Sequence, residues 1–222
     1  MTLALQIAPA RMRTPARHWP VVLAVVWTCA TAAGMWFLWR YAFTAGVAAD
    51  APVRWPGEGL VKLSTPGPTL VMFAHPHCPC TRASMAELER ILAKSPGEVK
   101  PWIVFYKPAD ADDSWEKTDL CRWAEEIPGA QIVFDADGAE AHRFAAATSG
   151  EVVVYTADGR LRFSGGITAS RGHEGDSAGK SAVLAALNHG DSRYQTAPVF
   201  GCSIGPCTAQ CQVQGGPRSK AR

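Results

Sequence analysis

Two cysteines separated by one proline are the residues of this sequence best suited to chemistry. Cys78 and Cys80 directly follow an apolar run, Thr69–Ala74, that is typical of a strand buried on both faces. They directly precede an amphipathic segment, Thr81–Lys94, that is typical of a helix. The free N–H groups at a helix start stabilise an anion, so we expect a lowered pKa and a nucleophilic thiolate at Cys78.

The spacing of the pair predicts thiol–disulfide exchange. Cys80 is close enough in sequence to attack a mixed disulfide formed at Cys78, and Pro79 stiffens the turn between them. A ring closed by Cys-x-Cys is smaller than one closed by Cys-x-x-Cys. We therefore expect a strained and comparatively oxidising disulfide, in a reaction that needs no cofactor.

The same segment also has the composition of a metal site. His75 and His77 add two imidazoles to the thiols of Cys78 and Cys80, a donor set that suits copper(I) or zinc. His173 could complete it. A copper-binding metallochaperone therefore stays open beside the redox interpretation, as does a pair of inert buried cysteines.

Two arginines raise a third functional alternative, peroxide reduction. A thiol peroxidase needs a base or an arginine beside the sulfur of Cys78, and Arg82 and Arg171 are the candidates. Arg171 and His173 belong to a glycine-rich connection after Gly165 and Gly166. We expect one of the two to line the site and support a thiolate or a bound anion.

The elements that must position these residues alternate between strand and helix. The predicted order is β-α-β-α-β-α-β-β-α, which implies an α/β fold with a mixed sheet flanked by helices. The ranges are strands at 69–74, 102–106, 131–134, 151–155 and 160–163, and helices at 81–94, 114–127, 139–147 and 176–188, the last with Gly190 as a C-cap residue. An edge strand is also expected at Gly59–Leu63.

An apolar segment near the N-terminus predicts a membrane anchor. Residues 21–39 carry no charge and no proline and are long enough to cross a bilayer. Arg11, Arg13 and Arg17 precede the segment, while Arg40 follows it, so the N-terminus should face the cytoplasm. A cleaved signal peptide is the alternative. Either one places the domain outside the cytoplasm, with the anchor in a bacterial inner membrane.

The composition limits the other functions and partners that the sequence could have. The net charge of +2 gives no support for nucleic-acid binding, which needs a concentrated basic surface. Protein thiols or disulfides and the membrane are the expected partners. The expected organisation is a cytoplasmic N-terminus (1–20), the transmembrane anchor (21–39), a linker (40–59), one α/β domain (60–190) and a cysteine-containing tail (191–222).

The strand, the Cys-Pro-Cys turn, the helix and the closing hairpin resemble the thioredoxin-like superfamily, and the anchored layout resembles its TlpA/ResA type. Four strings are similar to those of bacterial proteins labelled RedB: Phe73-Ala-His-Pro-His-Cys-Pro-Cys-Thr-Arg-Ala-Ser84, Phe163-Ser-Gly-Gly-Ile-Thr168, Arg171-Gly-His-Glu-Gly175 and Val199-Phe-Gly-Cys202. The resemblance implies a nucleophile at Cys78 and a resolving cysteine at Cys80. Thioredoxins have two residues between these cysteines, and a cis-proline where this chain has Thr148-Ser149-Gly150.

Four other cysteines lie in the predicted domain and tail. Cys121 is expected in the core, with a role as a second resolving thiol as the alternative. Cys202, Cys207 and Cys211 are candidates for a structural disulfide, which would leave one of the three over, or for a zinc site. Their pairing stays open.

Overall fold

A computed structural model describes residues 18–205 except 48–49, 96–98, 113 and 189–194. The chain divides into two compact units, Met1–Arg40 and Tyr41–Arg222.

The described part of the first unit is a single apolar helix. Helix α1 (Trp19–Phe43) has 25 residues, none of them buried, and runs into the start of the second unit. Its mean hydropathy reaches 2.0, so it is long and apolar enough to cross a membrane. It includes the predicted span 21–39 and adds two residues before it and four after it. A signal sequence would meet the same criteria of length and composition.

The second unit is built on one six-stranded mixed sheet. Its strands are β1 (Thr69–Ala74), β2 (Trp102–Lys107), β3 (Gln131–Ala136), β4 (Glu151–Tyr155), β5 (Leu161–Gly166) and β6 (Gln195–Ala197), in the spatial order β3-β2-β1-β4-β5-β6. Strands β1, β2 and β3 are parallel, whereas β4 runs antiparallel to both β1 and β5. Every residue of β1 is buried, as its apolar run predicted, and β1 lies at the centre.

Helices cover both faces of the sheet, because side chains alternate between the faces along each strand. Helices α2 (Thr81–Lys94), α3 (Asp119–Glu126) and α5 (Ala178–Leu187) pack against one face, on Leu70 and Met72 of β1. Helix α4 (Ala139–Arg143) and the chain around Ala51 and Val61 pack against the other face, on Val71 and Phe73. The predicted α/β fold with a mixed sheet is confirmed.

Three local predictions were wrong. Helix α3 begins at Asp119 and not at Ser114, because the Thr118 side chain caps it by accepting a hydrogen bond from the Cys121 amide. Helix α4 ends at Arg143, four residues before its predicted end. No strand forms at 59–63, where the amides of Leu60 and Val61 donate to the Glu140 carboxylate.

Two segments outside the predicted domain range pack onto the sheet. The predicted linker contributes the buried Ala51, and the Trp55 ring lies 5.2 Å from that of Tyr155. Beyond residue 190, β6 pairs with β5 alongside Gly165 and Gly166. A Cβ atom at Gly165 would collide with the backbone of Ala197, so the glycine pair makes room for the chain's own C-terminal segment. The predicted C-cap Gly190 lies outside the described residues.

Candidate active site

The cysteine turn joins the central strand to the longest helix of the sheet domain. Strand β1 ends at Ala74 and α2 begins at Thr81. The Cys78 amide donates to the His75 carbonyl over 3.0 Å, and the Thr81 amide donates to the Cys78 carbonyl over 3.1 Å. Cys80 occupies the N-cap position, and its side chain makes no capping hydrogen bond. The sequence therefore places both thiols at the open start of a helix, as predicted.

A third sulfur completes the group. The Sγ atoms of Cys78, Cys80 and Cys202 all lie within 4.8 Å of one another. Cys78 is 2% exposed and Cys80 7%, whereas Cys202 is partly exposed. Cys202 was predicted only as a candidate for a structural disulfide or zinc in the tail, with Cys207 and Cys211, which lie outside the described residues. The string Val199-Phe-Gly-Cys202 was its only sequence signal, since nothing local links it to the turn.

Hydrogen bonds among the three sulfurs concentrate negative charge on Cys78. The thiols of Cys202 and Cys80 donate to Cys78 and hold its pKa far below the ordinary value, against the opposing effect of burial. Donation to Cys78 raises the pKa of the Cys202 thiol. For Cys80, a hydrogen bond with Cys202 lowers the pKa, but donation to Cys78 and burial outweigh it, and the pKa rises. The pKa of Cys78 is thus lowered, the direction expected, and the hydrogen bond with Cys202 contributes most.

The loop before β4 holds the turn in place. The Ser149 hydroxyl accepts from the His75 amide over 2.8 Å and lies 2.7 Å from the Thr81 hydroxyl. The Ser149 amide donates to the Cys202 carbonyl over 2.7 Å. Thus the segment that stands in place of the cis-proline contacts both parts of the sulfur group. Next to it, Gly150 has a φ of +91°, and its amide donates to the Phe73 carbonyl over 2.8 Å.

The two histidines of the predicted copper site face aromatic rings. The His75 ring stacks on Tyr106 at 5.6 Å, and the His77 ring meets Trp115 edge to face at 4.5 Å. The His75 Nδ1 atom accepts from the His77 amide over 3.2 Å. Burial lowers the pKa of His75, although the Cys78 charge opposes it. Among the residues that the structure describes, the group of side chains that could hold a metal ion is Cys78, Cys80 and Cys202, and it includes neither histidine.

Comparison with protein-family models and with curated proteins gave no match. Among solved structures, an uncharacterized conserved protein from Geobacillus kaustophilus is 22% identical, with a TM-score of 0.54 over 75% of this chain and 94% of that one. A hypothetical protein from Sinorhizobium meliloti 1021 is 23% identical, with a TM-score of 0.47 over 72% of this chain and 93% of that one. A secreted Mycobacterium tuberculosis disulfide oxidoreductase is 18% identical, with a TM-score of 0.38 over 55% of this chain and 80% of that one.

The central strand of the mixed sheet leads through two cysteines into a flanking helix. The fold is thioredoxin-like.

An open hollow on the thioredoxin-like domain borders Cys78. The hollow measures about 620 Å³ and its lining also includes Pro79 and His77. A substrate that enters it would meet net positive charge, because three cationic side chains, Arg82, Lys117 and Arg122, outnumber the one carboxylate, Asp119. The predicted supporting residues Pro79 and His77 therefore flank the entrance to the sulfur group.

The two candidate arginines each have a partner of their own. Arg82 forms an ion pair with Asp119, and both side chains are largely exposed. Arg171 donates to the Gly201 carbonyl, next to Cys202, and its charge acts to lower the pKa of Cys80. Arg171 therefore lies beside the sulfur group, and its support of a thiolate or a bound anion stays a prediction. His173 is exposed, and no described contact joins it to a sulfur.

Two further titratable groups, Cys121 and Glu151, are buried in the same domain. Cys121 lies in the core and burial raises the pKa of its thiol, as expected for an inert cysteine. Glu151 opposes Phe73 at the end of β1 and is 1% exposed. Burial raises the pKa of its carboxyl to about 7, although the amide of Ala147 donates to it over 3.1 Å. No local pattern distinguishes Glu151, because it stands as the polar first residue of a strand.

Proposed function

We propose that the protein is a membrane-tethered, extracytoplasmic thiol–disulfide oxidoreductase. One observation carries the proposal: the sulfurs of Cys78 and Cys80 lie within 4.8 Å of each other at the start of α2, and Cys78 borders an open hollow. Two sulfurs at this distance can exchange one disulfide between them, and the hollow beside Cys78 is the proposed route by which a substrate reaches the nucleophile. Placement with the membrane-anchored TlpA/ResA type, and with proteins labelled RedB, belongs to the same proposal.

The exchange proceeds in two balanced steps. The Cys78 thiolate attacks one sulfur of a substrate disulfide, the substrate S–S bond breaks, and the other substrate sulfur leaves as a thiolate that takes up a proton. The Cys80 thiol then loses its proton and attacks the Cys78 sulfur, which releases the second substrate thiol. The substrate gains two electrons and the Cys78–Cys80 pair loses two. The reverse sequence oxidises a substrate dithiol. Protein thiols or disulfides are the proposed partners.

Helix α1 supplies the tether. Its 25 residues extend about 37 Å at 1.5 Å per residue, which exceeds the roughly 30 Å hydrocarbon core of a bilayer. The arginines at positions 11, 13 and 17 favour a cytoplasmic N-terminus. A β-lactamase fused after Arg222 should therefore confer ampicillin resistance. A fusion that is expressed without conferring resistance would contradict the orientation.

Trapping of the mixed disulfide tests the chemistry. The full-length protein in a mild detergent is mixed with a fluorescent peptide disulfide. Because the sulfurs of Cys80 and Cys202 both lie within 4.8 Å of the Cys78 sulfur, either could resolve the adduct, so the trapping variant is C80S/C202S. We expect this variant to accumulate a peptide adduct at Cys78 that dithiothreitol reverses. C78S should form none at the site, and C29S, which changes the exposed cysteine of α1, should match the parent. Equal adduct formation by C78S/C80S/C202S and C80S/C202S would refute the proposed nucleophile.

A further inference from the structure

The sulfur of Cys202 is held in position by the domain and does not reach the cysteine turn as part of a loose tail. The amide of Ser149 donates to the Cys202 carbonyl over 2.7 Å, and the amide of Ile204 donates to the Ala147 carbonyl over 2.9 Å. These hydrogen bonds fix the chain at Cys202 and two residues beyond it. The three-sulfur arrangement is therefore a built feature of the fold.

Glycine makes this close approach possible. A Cβ atom at Gly201 would collide with the Ser149 carbonyl, so only glycine allows the chain to lie this close to the loop. Arg171 donates to the Gly201 carbonyl from the other side. Gly201 is thus held between the loop and Arg171. This limits how far the sulfur of the next residue, Cys202, can move from Cys78 and Cys80.

We propose that Cys78, Cys80 and Cys202 bind one copper(I) ion through three sulfur ligands. Soft thiolates favour copper(I), and the group contains no imidazole or carboxylate among the described residues. Metal–sulfur bonds of about 2.3 Å in a trigonal plane place the sulfurs about 4.0 Å apart. Since the sulfurs all lie within 4.8 Å of one another, no pair would have to close by more than about 0.8 Å. Zinc is disfavoured because structural zinc sites take four ligands.

The burial of the three cysteines suits a bound copper(I) ion. Cys78 and Cys80 lie beneath the surface, while Cys202 is partly exposed. A bound ion would therefore be largely shielded from solvent by the domain. Any thiol that is still protonated releases its proton as the ion binds, and copper stays in the +1 state. A disulfide between two of the cysteines would remove two ligands, so the site requires the reduced protein.

Copper titration of the full-length reduced protein tests the site. The background is C29S/C207S/C211S in detergent without oxygen, so that no sulfur from α1 or from positions beyond 205 substitutes. Copper(I) is added together with a chromophoric bathocuproine chelator, which competes with the protein for the ion. We expect one ion per chain, and X-ray absorption should show three sulfur neighbours. Adding C202S should weaken binding at least 10-fold and leave two sulfur neighbours, whereas adding C121S, a buried cysteine outside the group, should change neither result.

Two results would overturn the inference. One is a C202S variant that binds copper(I) as tightly as the background protein. The other is an absorption spectrum of the background protein with nitrogen neighbours or only two sulfurs, which decides the matter even if C202S fails to fold. The inference does not depend on disulfide exchange. Three-sulfur copper binding without peptide-adduct formation would remove the proposed function alone, and adduct formation without three-sulfur binding would remove this inference alone.

Discussion

The buried carboxyl of Glu151 should make the stability of the domain depend on pH. Its pKa rises from 4.5 to about 7 because burial penalises the charged form. The folded state therefore binds the proton more tightly than the unfolded state does. This contribution to stability is fully present below pH 4.5 and is lost as the pH rises through 7. At about 1.36 kcal/mol for each pKa unit, the loss amounts to about 3 kcal/mol.

The substitution Glu151→Gln removes this dependence. A glutamine carbonyl can still accept from the Ala147 amide, but it carries no charge to bury. Relative to the parent, the variant should gain about 3 kcal/mol in the free energy of unfolding between pH 4 and pH 8. Urea unfolding of the full-length protein in a non-ionic detergent, followed by circular dichroism at several pH values, measures the difference. Titration of the cysteines is common to both proteins and cancels.

A matched control separates this effect from the general loss of a carboxylate. Glu126→Gln changes an exposed glutamate at the end of α3, so its unfolding curve should run parallel to that of the parent at every pH. The reasoning about Glu151 is refuted if its glutamine variant also runs parallel to the parent from pH 4 to pH 8. That result would mean that the pKa of the carboxyl is the same in the folded and the unfolded protein.

Three substitutions probe the packing around the site, each by the free energy of unfolding. Lys180→Met breaks the 2.8 Å ion pair with the fully buried Glu87 and should cost about 1–3 kcal/mol, since the carboxylate loses one cation but keeps Arg90 and the Gly175 amide. Gly150→Ala should cost about 1–3 kcal/mol, because its φ is +91° and a Cβ atom would lie 2.7 Å from the Ser84 hydroxyl. Ser149→Ala removes the acceptor of a backbone amide in the cysteine turn and should cost about 1–3 kcal/mol.

Controls for these three lie on the surface. Lys62→Met and Ser181→Ala change exposed side chains, and each should alter stability by less than about 0.5 kcal/mol. Gly172→Ala changes another glycine of positive φ, but one with open space around its Cβ position, so it isolates the backbone cost from the contact with Ser84. Costs at Lys180, Gly150 or Ser149 no larger than those of the controls would contradict the packing described above.

Local patterns predicted most of the scaffold. The apolar run of β1 and the amphipathic period of α2 gave bounds that agree with the structure, because burial on both faces or on one face leaves a distinct signature in the residue order. The cysteine turn followed from these two elements. The start of α3 was missed because a single capping contact from Thr118 decided it, against an apolar pattern that extended further back.

The sequence by itself determined the alternation of strand and helix, the apolar helix near the N-terminus and the two thiols at the start of α2. Only the tertiary structure decided that Cys202 joins them and that His75 and His77 turn to aromatic rings instead. The first set of features depends on residues that are close in sequence, so composition and hydrophobic period are enough to predict them. The second depends on hydrogen bonds and collisions between segments far apart in the chain, such as Gly201 against Ser149, and no local pattern encodes these.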